Sequence, residues 1–324
     1  MYNVIVNSLN FNIQPNKSIF ISAKEQDILI EHSCLSGRCS SCKARVLSGT
    51  SETTSFELGL SEEERNNNYI LTCVRNPTSD LILDLNVISG VKLEKPKTIP
   101  VKIHEILKIN SDIIKIVLRF PPKTDFKFLP GQYVNIIKGN IKRSYSIGGV
   151  ENDNMLIFYI KVYPNGLMSK YLIEEAKEND LLRMEGPFGT FFLREQRLQN
   201  IIFLATGTGI APILSILQSP INKDLIYMQK IFVFHGGRLE TDLIELEYFK
   251  SLDINYFPTL SRCKVDGFYE GYVQYVLWEQ EIDLTNATVY ACGSSKMIED
   301  SKKLLISKGL QSDQFYSDAF LESN

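Results

Sequence analysis

The stretch Cys34-Leu-Ser-Gly-Arg-Cys39-Ser-Ser-Cys42 places three thiols within nine residues, and Cys73 follows after a gap of 30. Six cysteines in 324 residues are too few for a disulfide scaffold, and the remaining two, Cys263 and Cys292, stand alone far downstream. Desolvating a thiolate costs free energy, so a tight thiol cluster is best explained by a metal that compensates the charge. The residues between the thiols are small, and Gly37 can take a positive φ. Backbone N–H groups can therefore turn inward and hydrogen-bond sulfur.

The spacing Cys-x4-Cys-x2-Cys with a distant fourth Cys matches a plant-type 2Fe-2S ligand set: Cys34, Cys39, Cys42 and Cys73. Zinc sites favour two short Cys/His pairs, and zinc is the alternative metal. Around the loop, Tyr2–Val6 and residues 18–21 flank an Asn/Pro turn at 12–16, which predicts a hairpin. Residues 27–32 read as a short helix entering the loop, and Ser61 with Glu64 forms a capping box. The apolar run Tyr69-Ile-Leu-Thr delivers Cys73. Residues 1–92 thus form a small metal-binding unit.

After the charged linker Leu93-Glu-Lys-Pro-Lys-Thr, apolar residues alternate at period two in 114–120 and 156–162. Such segments predict half-buried strands, and several of them between Pro/Gly turns predict an antiparallel β-barrel over 97–196. Two motifs there can carry chemistry. In Arg143-Ser144-Tyr145-Ser146, Arg143 and Tyr145 share one strand face and the serines the other. An Arg beside an aromatic ring suits a phosphate and a planar ring system together. Gly166-Leu167-Met168-Ser169 reads as a turn opening a helix over 169–177, with Ser169 as its N-cap and the turn as an anion site.

From residue 199 to 324 strands and helices alternate, predicting an α/β domain with a parallel sheet and ligands outside the strands' carboxyl ends. The buried-strand run 201–206 enters Gly207-Thr208-Gly209-Ile-Ala-Pro212, where backbone N–H groups can meet a nucleotide pyrophosphate. A last strand runs into Cys292-Gly293-Ser294 and a helix over 296–307 that stops at Gly309.

Composition narrows the classes. Apolar residues make up 44% and charged residues 23%, and the net charge is −3, so no basic field exists to hold nucleic acid. No apolar stretch approaches the ~18 residues of a membrane span, and the first residues lack a secretory pattern. A cytoplasmic protein is expected; its oligomeric state is not encoded in any motif.

The order of these motifs, iron–sulfur loop, Arg-x-Tyr-Ser strand and Gly-x-Gly turn, resembles the ferredoxin–NAD(P) reductase superfamily carrying an N-terminal plant-type ferredoxin. That resemblance implies a multidomain chain: an α+β ferredoxin-like (β-grasp) domain, an antiparallel β-barrel FAD domain and an α/β NAD(P) domain. It implies Arg143 on the flavin phosphate, with Ser144 beside it. Tyr145 would lie on the isoalloxazine face and Ser146 near its reactive nitrogen. Gly166, Leu167, Met168 and Ser169 would hold the FAD pyrophosphate. Gly207, Thr208, Gly209, Cys292 and Gly293 would meet the nicotinamide nucleotide, with Ser146, Cys292 and Phe320 at the reacting rings. Arg238 and Arg262 are candidates for a ribose 2′-phosphate, which leaves NADH and NADPH both open.

Within the superfamily, Glu31-His-Ser-Cys34, Phe128-Leu-Pro-Gly-Gln-Tyr133, Arg143-Ser-Tyr-Ser-Ile147, Glu185-Gly-Pro-Phe-Gly-Thr-Phe-Phe192 and Tyr316-Ser-Asp-Ala-Phe320 are similar to CDP-6-deoxy-delta-3,4-glucoseen reductases of dideoxysugar and O-antigen (lipopolysaccharide) biosynthesis. The implied partner is a pyridoxamine-phosphate-dependent iron–sulfur dehydrase. Ser40 and Ser295 depart from the family's usual Gly and Pro. The reductase component of a multicomponent oxygenase shares the domain order, and a zinc-binding interaction protein is the reading outside catalysis.

Overall fold

The computed structural model describes residues 1–7, 9–152, 154–195 and 198–320, in two units, Met1–Lys92 and Leu93–Asn324. The expected domain limits at 196 and 324 fall outside the described residues.

The first unit contains β1 (Tyr2–Val6), β2 (Leu9–Ile13), α1 (Ile19–Glu25), β3 (Leu29–Ile30), β4 (Lys43–Ser48), β5 (Ser51–Thr53), α2 (Glu62–Asn66), β6 (Tyr69–Leu71), β7 (Arg75–Pro77), β8 (Leu81–Asp84) and β9 (Val87–Ile88). Its main sheet has the order β2-β1-β8-β4-β6, with β1 and β8 parallel. Helix α1 buries Ile19, Phe20 and Ala23 against that sheet, joining Val4, Phe11, Ile13, Leu81 and Leu83 in one core.

Two local expectations are corrected here. The hairpin partner of β1 is β2, not residues 18–21, because Phe11 and Ile13 alternate with Asn10 and Asn12 and put one face in the core. Residues 18–21 begin α1 instead: Ser18 Oγ accepts the Ile21 N–H at 3.2 Å, an N-cap that the strand reading passed over. Residues 27–32 are not helical. Asp27 takes φ 59°, which breaks the helix, and β3 pairs with β9.

The second unit opens with β10 (Lys97–Lys108), β11 (Ile113–Arg119), β12 (Tyr133–Lys138), β13 (Ile141–Ser146), β14 (Gly149–Asn152), β15 (Met155–Lys161), α3 (Leu167–Lys170) and β16 (Leu181–Phe188). The strands form one antiparallel sheet, order β13-β12-β16-β10-β11-β15-β14. It curls as a half-barrel around Ile103, Ile116, Leu118, Val134, Phe158 and Met184, all essentially buried.

The chain continues through β17 (Asn200–Thr206), α4 (Ile210–Gln218), α5 (Lys223–Tyr227), β18 (Lys230–Gly237), α6 (Leu246–Ser251), β19 (Asn255–Leu260), β20 (Tyr269–Glu270), α7 (Val273–Glu279), β21 (Ala287–Ser294), α8 (Ser295–Ser307) and β22 (Phe315–Phe320). All six strands are parallel in the order β20-β19-β18-β17-β21-β22. Central β17 is buried from Asn200 to Ala205, because helices cover both faces of the sheet. Ile113 and Tyr159 leave the curled sheet's own core and pack into that of the parallel sheet, so the two sheets share side chains.

Ser18→Ala should lower the stability of the first unit by about 1 kcal/mol in urea melts, the usual cost of losing an N-cap. An unchanged midpoint would contradict the capped start of α1.

Candidate functional site

The ligand loop joins β3 to β4, and Cys73 sits in the single turn between β6 and β7. The thiols meet in two pairs, Cys34 with Cys39 and Cys42 with Cys73. Cys34 Sγ accepts the N–H groups of Ser36 (3.4 Å) and Cys39 (3.3 Å), and the Gly37 backbone N–H faces Cys73. Gly37 has φ 72°, and a Cβ there would stand 2.4 Å from the Phe56 carbonyl oxygen, so only glycine fits this turn. The Cys39 thiol draws Cys34 down to about 5, and Cys42 lowers Cys73 in the same way. The two donors, Cys39 and Cys42, are pushed up by that sharing and by burial.

Among the described residues no group of three or more His, Cys, Asp or Glu side chains is arranged to hold one metal ion. Two thiol pairs with backbone donors aimed at sulfur suit a two-iron cluster with two thiolates per iron.

On β13, Tyr145 packs against the curled sheet's core and Ser146 is buried, whereas Ser144 is exposed. Burial raises the Tyr145 phenol well above its ordinary value. Ser144 Oγ donates to Asn135 Oδ1 (2.7 Å), Asn135 Nδ2 donates to Glu185 (3.1 Å), and Lys142 pairs with Glu185 at 2.5 Å. Arg143 Nη1 donates to the Lys142 carbonyl at 2.9 Å, and the rest of its guanidinium has no partner among the described residues. Helix α3 packs against β13 and so brings residues 166–169 beside residues 143–146.

The N-cap of α3 is Gly166, not Ser169 as expected. The chain reverses at 163–166, and the buried Ser169 Oγ accepts the Tyr163 N–H at 3.0 Å, locking the turn from inside. The helix is also shorter than the expected 169–177, passing into a π-helical turn at Tyr171–Glu175. A guanidinium with a single hydrogen bond among the described residues, a partly buried aromatic face and an adjoining glycine turn fit a flavin dinucleotide.

A cavity of about 550 Å3 lies at the carboxyl ends of the parallel strands. Thr206, Gly207 and Thr208 line it from β17, Gly236 to Arg238 from β18, and Phe320 from β22, while Ile113 and Lys161 reach it from the curled sheet. Gly207 has φ 55° with open space around its Cβ position. At Gly209 a Cβ would stand 2.3 Å from the Cys292 carbonyl oxygen, and at Gly293 2.3 Å from Thr206 Oγ1. The carboxyl ends of the paired strands β17 and β21 therefore lie side by side at glycine contact, and this brings the Gly207–Gly209 turn flat against Cys292 and Gly293. That cradle fits a nucleotide pyrophosphate.

Not every expected residue reaches the cavity. The Cys292 thiol is fully buried and absent from the cavity wall; burial, with Asp318 nearby, pushes it well up, so it stays protonated. Ser146 is likewise absent from that wall. Arg238 lines it, whereas Arg262 reaches Arg238 through its backbone N–H (3.2 Å to the Arg238 carbonyl). Ser294 caps α8, accepting the Met297 N–H at 3.3 Å, and Ser295, where the family usually has Pro, is the first residue of that helix.

Sequence reasoning missed four contributors. Asp242 Oδ2 accepts the N–H groups of Arg238 (2.8 Å) and Leu239 (3.0 Å), fixing the loop that carries Arg238. Tyr159 donates to Glu245 Oε1 at 2.6 Å, and Asn110 Nδ2 to the Thr241 carbonyl at 2.6 Å, tying the curled sheet to the same loop. His235, fully buried on β18, bonds Tyr256 Oη at 3.1 Å beneath the Gly207 backbone, and burial lowers it to about 3. Only the Asp four residues after Arg238 is a local signal; the others depend on tertiary packing.

Residues 5–78 match the 2Fe-2S iron-sulfur cluster binding domain, 100–193 the oxidoreductase FAD-binding domain and 203–303 the oxidoreductase NAD-binding domain. The chain is 35% identical over 333 residues to the CDP-6-deoxy-L-threo-D-glycero-4-hexulose-3-dehydrase reductase of Yersinia pestis, covering 98% of this chain and 99% of that protein. The chain belongs to the ferredoxin–NAD(P) reductase family with an N-terminal 2Fe-2S domain.

This reductase is also 32% identical to Protein RfbI of Salmonella typhimurium (99% and 96% covered), and 28% identical to the toluate 1,2-dioxygenase electron transfer component of Pseudomonas putida (93% and 92%). The crystal structure of Amycolatopsis cytochrome P450 reductase GcoB shares the fold, with TM-score 0.77 at 21% identity and full coverage of both chains. The reductase is thus an NAD(P)H-dependent electron-transfer oxidoreductase using FAD and a 2Fe-2S cluster. Among the described residues no helix is long and apolar enough to cross a membrane.

Gly209→Ala should weaken NAD(P)H binding at least tenfold and lower stability, whereas Gly207→Ala, strained at φ 55° but sterically open, should cost only about 1–2 kcal/mol. Equal effects in titration and melting would contradict the close backbone contact of Gly209 with Cys292. His235 binds a proton when unfolded, near its ordinary 6.5, but not when folded until about pH 3. Stability from its burial is therefore complete above about pH 6.5 and falls on acidification by up to about 1.4 kcal/mol per pH unit. Urea melts of His235→Asn against the parent should show that part of the acid slope vanish.

Proposed function

We propose that this reductase passes electrons singly to a pyridoxamine-phosphate-dependent iron–sulfur dehydrase acting on CDP-4-keto-6-deoxyglucose, in 3,6-dideoxyhexose formation for O-antigen. The observation carrying this reading is the end-to-end 35% identity to a dehydrase reductase, against 28% to an oxygenase electron-transfer component. The chain acts in the cytoplasm, where reduced pyridine nucleotide is supplied.

Residues 1–92, 97–196 and 199–324 serve as iron–sulfur, flavin and nucleotide domains. Cys34 and Cys39 hold one iron, and Cys42 and Cys73 the other. Arg143 neutralises a flavin phosphate with its unpaired donors, Ser144 fixes its strand through Asn135, and Tyr145 offers an aromatic face. Gly166, Leu167, Met168 and Ser169 shape the turn that receives the FAD pyrophosphate. Gly207, Thr208 and Gly209 present backbone N–H groups to the nucleotide, seated on Cys292 and Gly293. Arg238 and Arg262 border the adenosine end, and either NADH or NADPH is accommodated. Phe320, on the nucleotide cavity wall, would cover the reacting rings, and Ser146 on β13 would meet the flavin's reactive nitrogen.

When bound, a flavin between a two-electron donor and a one-electron cluster supplies the separation of the electron pair. The protein's part is orientation: the sheets share Ile113 and Tyr159, and the Tyr159–Glu245 bond holds the cavity walls in register.

The second reading, an oxygenase reductase component, is favoured by the matches to dioxygenase systems. Reconstitution decides: the purified chain with NAD(P)H should support turnover of the sugar dehydrase and not of a ring-hydroxylating oxygenase, and the reverse outcome reassigns it. Cys39→Ser should abolish electron delivery to the acceptor while leaving NAD(P)H-to-dye activity within about twofold. Loss of both would contradict separate sites. Arg143→Ala should release most of the flavin on gel filtration; full retention would remove Arg143 from the phosphate.

A further inference from the structure

Glu57 is a carboxylate taken almost wholly out of water, its side chain 5% exposed, in the segment that lies on the ligand loop. Its Oε1 accepts the Leu71 N–H at 2.7 Å and Arg75 Nε at 3.1 Å, and its Oε2 accepts Arg75 Nη2 at 2.6 Å. Leu71 lies two residues before Cys73 and Arg75 two residues after it. One carboxylate therefore clasps the chain on both sides of the fourth ligand.

The same segment presses on the other ligands. The Phe56 carbonyl closes over Gly37, the Gly59 N–H donates to the Gly37 carbonyl at 3.0 Å, and a Cβ on Gly59 would stand 2.3 Å from the Cys39 carbonyl oxygen. Arg65 Nη2 donates to the Glu57 carbonyl at 2.7 Å, fixing the segment's own backbone. The Glu57 segment is thus the mechanical link between the Cys34–Cys42 loop and Cys73, and its partner Arg75 is anchored besides to the Ser51 carbonyl at 3.1 Å.

We propose that Glu57 is a positioning residue for the iron–sulfur cluster: with Arg75 it fixes Cys73 against the ligand loop and cancels the guanidinium's charge beside it, so the cluster's reduction potential depends on the pair. The inference rests on the assignment of the four cysteines as ligands. Charges in a partly desolvated site act strongly on a neighbour, and breaking such a pair exposes the survivor's full field. Reduction adds negative charge to the cluster. An uncompensated Arg75 favours the reduced form, and an uncompensated Glu57 opposes it.

The test uses the full-length holoprotein. Iron and sulfide counts on the parent come first, and a parent without two irons would sink the ligand assignment itself. Glu57→Gln keeps the shape and the Leu71 acceptor but removes the charge; Arg75→Gln removes the opposite charge. Anaerobic redox titration followed by the iron paramagnetic signal should show the potential raised in Glu57→Gln, lowered in Arg75→Gln and returned toward the parent in the double variant. Cluster bleaching by an iron chelator should be several-fold faster in each single variant. Shifts of the same sign, unchanged potentials, or cluster loss from all three variants alike would overturn the proposal.

Discussion

Four thiolates cannot leave water together unless their charge is met, and the first unit is built around meeting it. The Cys34–Cys42 loop contributes N–H groups to sulfur, the thiols stand in two pairs, Cys34 with Cys39 and Cys42 with Cys73, and the Gly37 N–H faces Cys73. This demand accounts for the odd local features. Gly37 is left-handed under the Phe56 carbonyl, Gly59 lies flat on Cys39, and a buried acid is tolerated at Glu57 because Arg75 and the Leu71 N–H satisfy it.

A second close approach organises the nucleotide end. The carboxyl ends of the parallel neighbours β17 and β21 meet without side chains between them, at Gly209 over Cys292 and at Gly293 over Thr206. That contact leaves Gly207 facing open space at the head of α4 and sets the cavity where parallel α/β sheets receive ligands. Cys292 contributes its backbone and its volume there: its thiol is fully buried, and burial pushes it well up. Tyr159, Glu245 and Asn110 tie the curled sheet to the loop after β18, and Ile113 and Tyr159 pack into the core of the parallel sheet.

Much of this was legible in the sequence because it is encoded locally. Cysteine spacing, the alternation in β11 and β15, the continuous apolar run of β17 and the Ser61 capping box each depend on neighbours a few residues away. The misread elements lost to competing local signals. The Asn-Phe-Asn-Ile alternation of β2 was hidden by an Asn/Pro turn placed after it, and Ser18 was read as strand rather than cap. Ser169 has the right chemistry for an N-cap, yet its hydroxyl turns inward to Tyr163. His235, Glu57 and Tyr159 were invisible for another reason: their partners lie 21, 18 and 86 residues away, and no spacing rule reports such contacts.

The central claim is that paired electrons from a pyridine nucleotide leave this polypeptide one at a time through iron. Anaerobic addition of NADH, and separately of NADPH, to the purified holoprotein tests it most directly, with absorbance and low-temperature magnetic resonance recorded together. The account predicts that at least one of the two nucleotides bleaches the bound yellow chromophore and raises a reduced-iron signal. A chromophore that never bleaches, or one that bleaches without any iron signal, would contradict it.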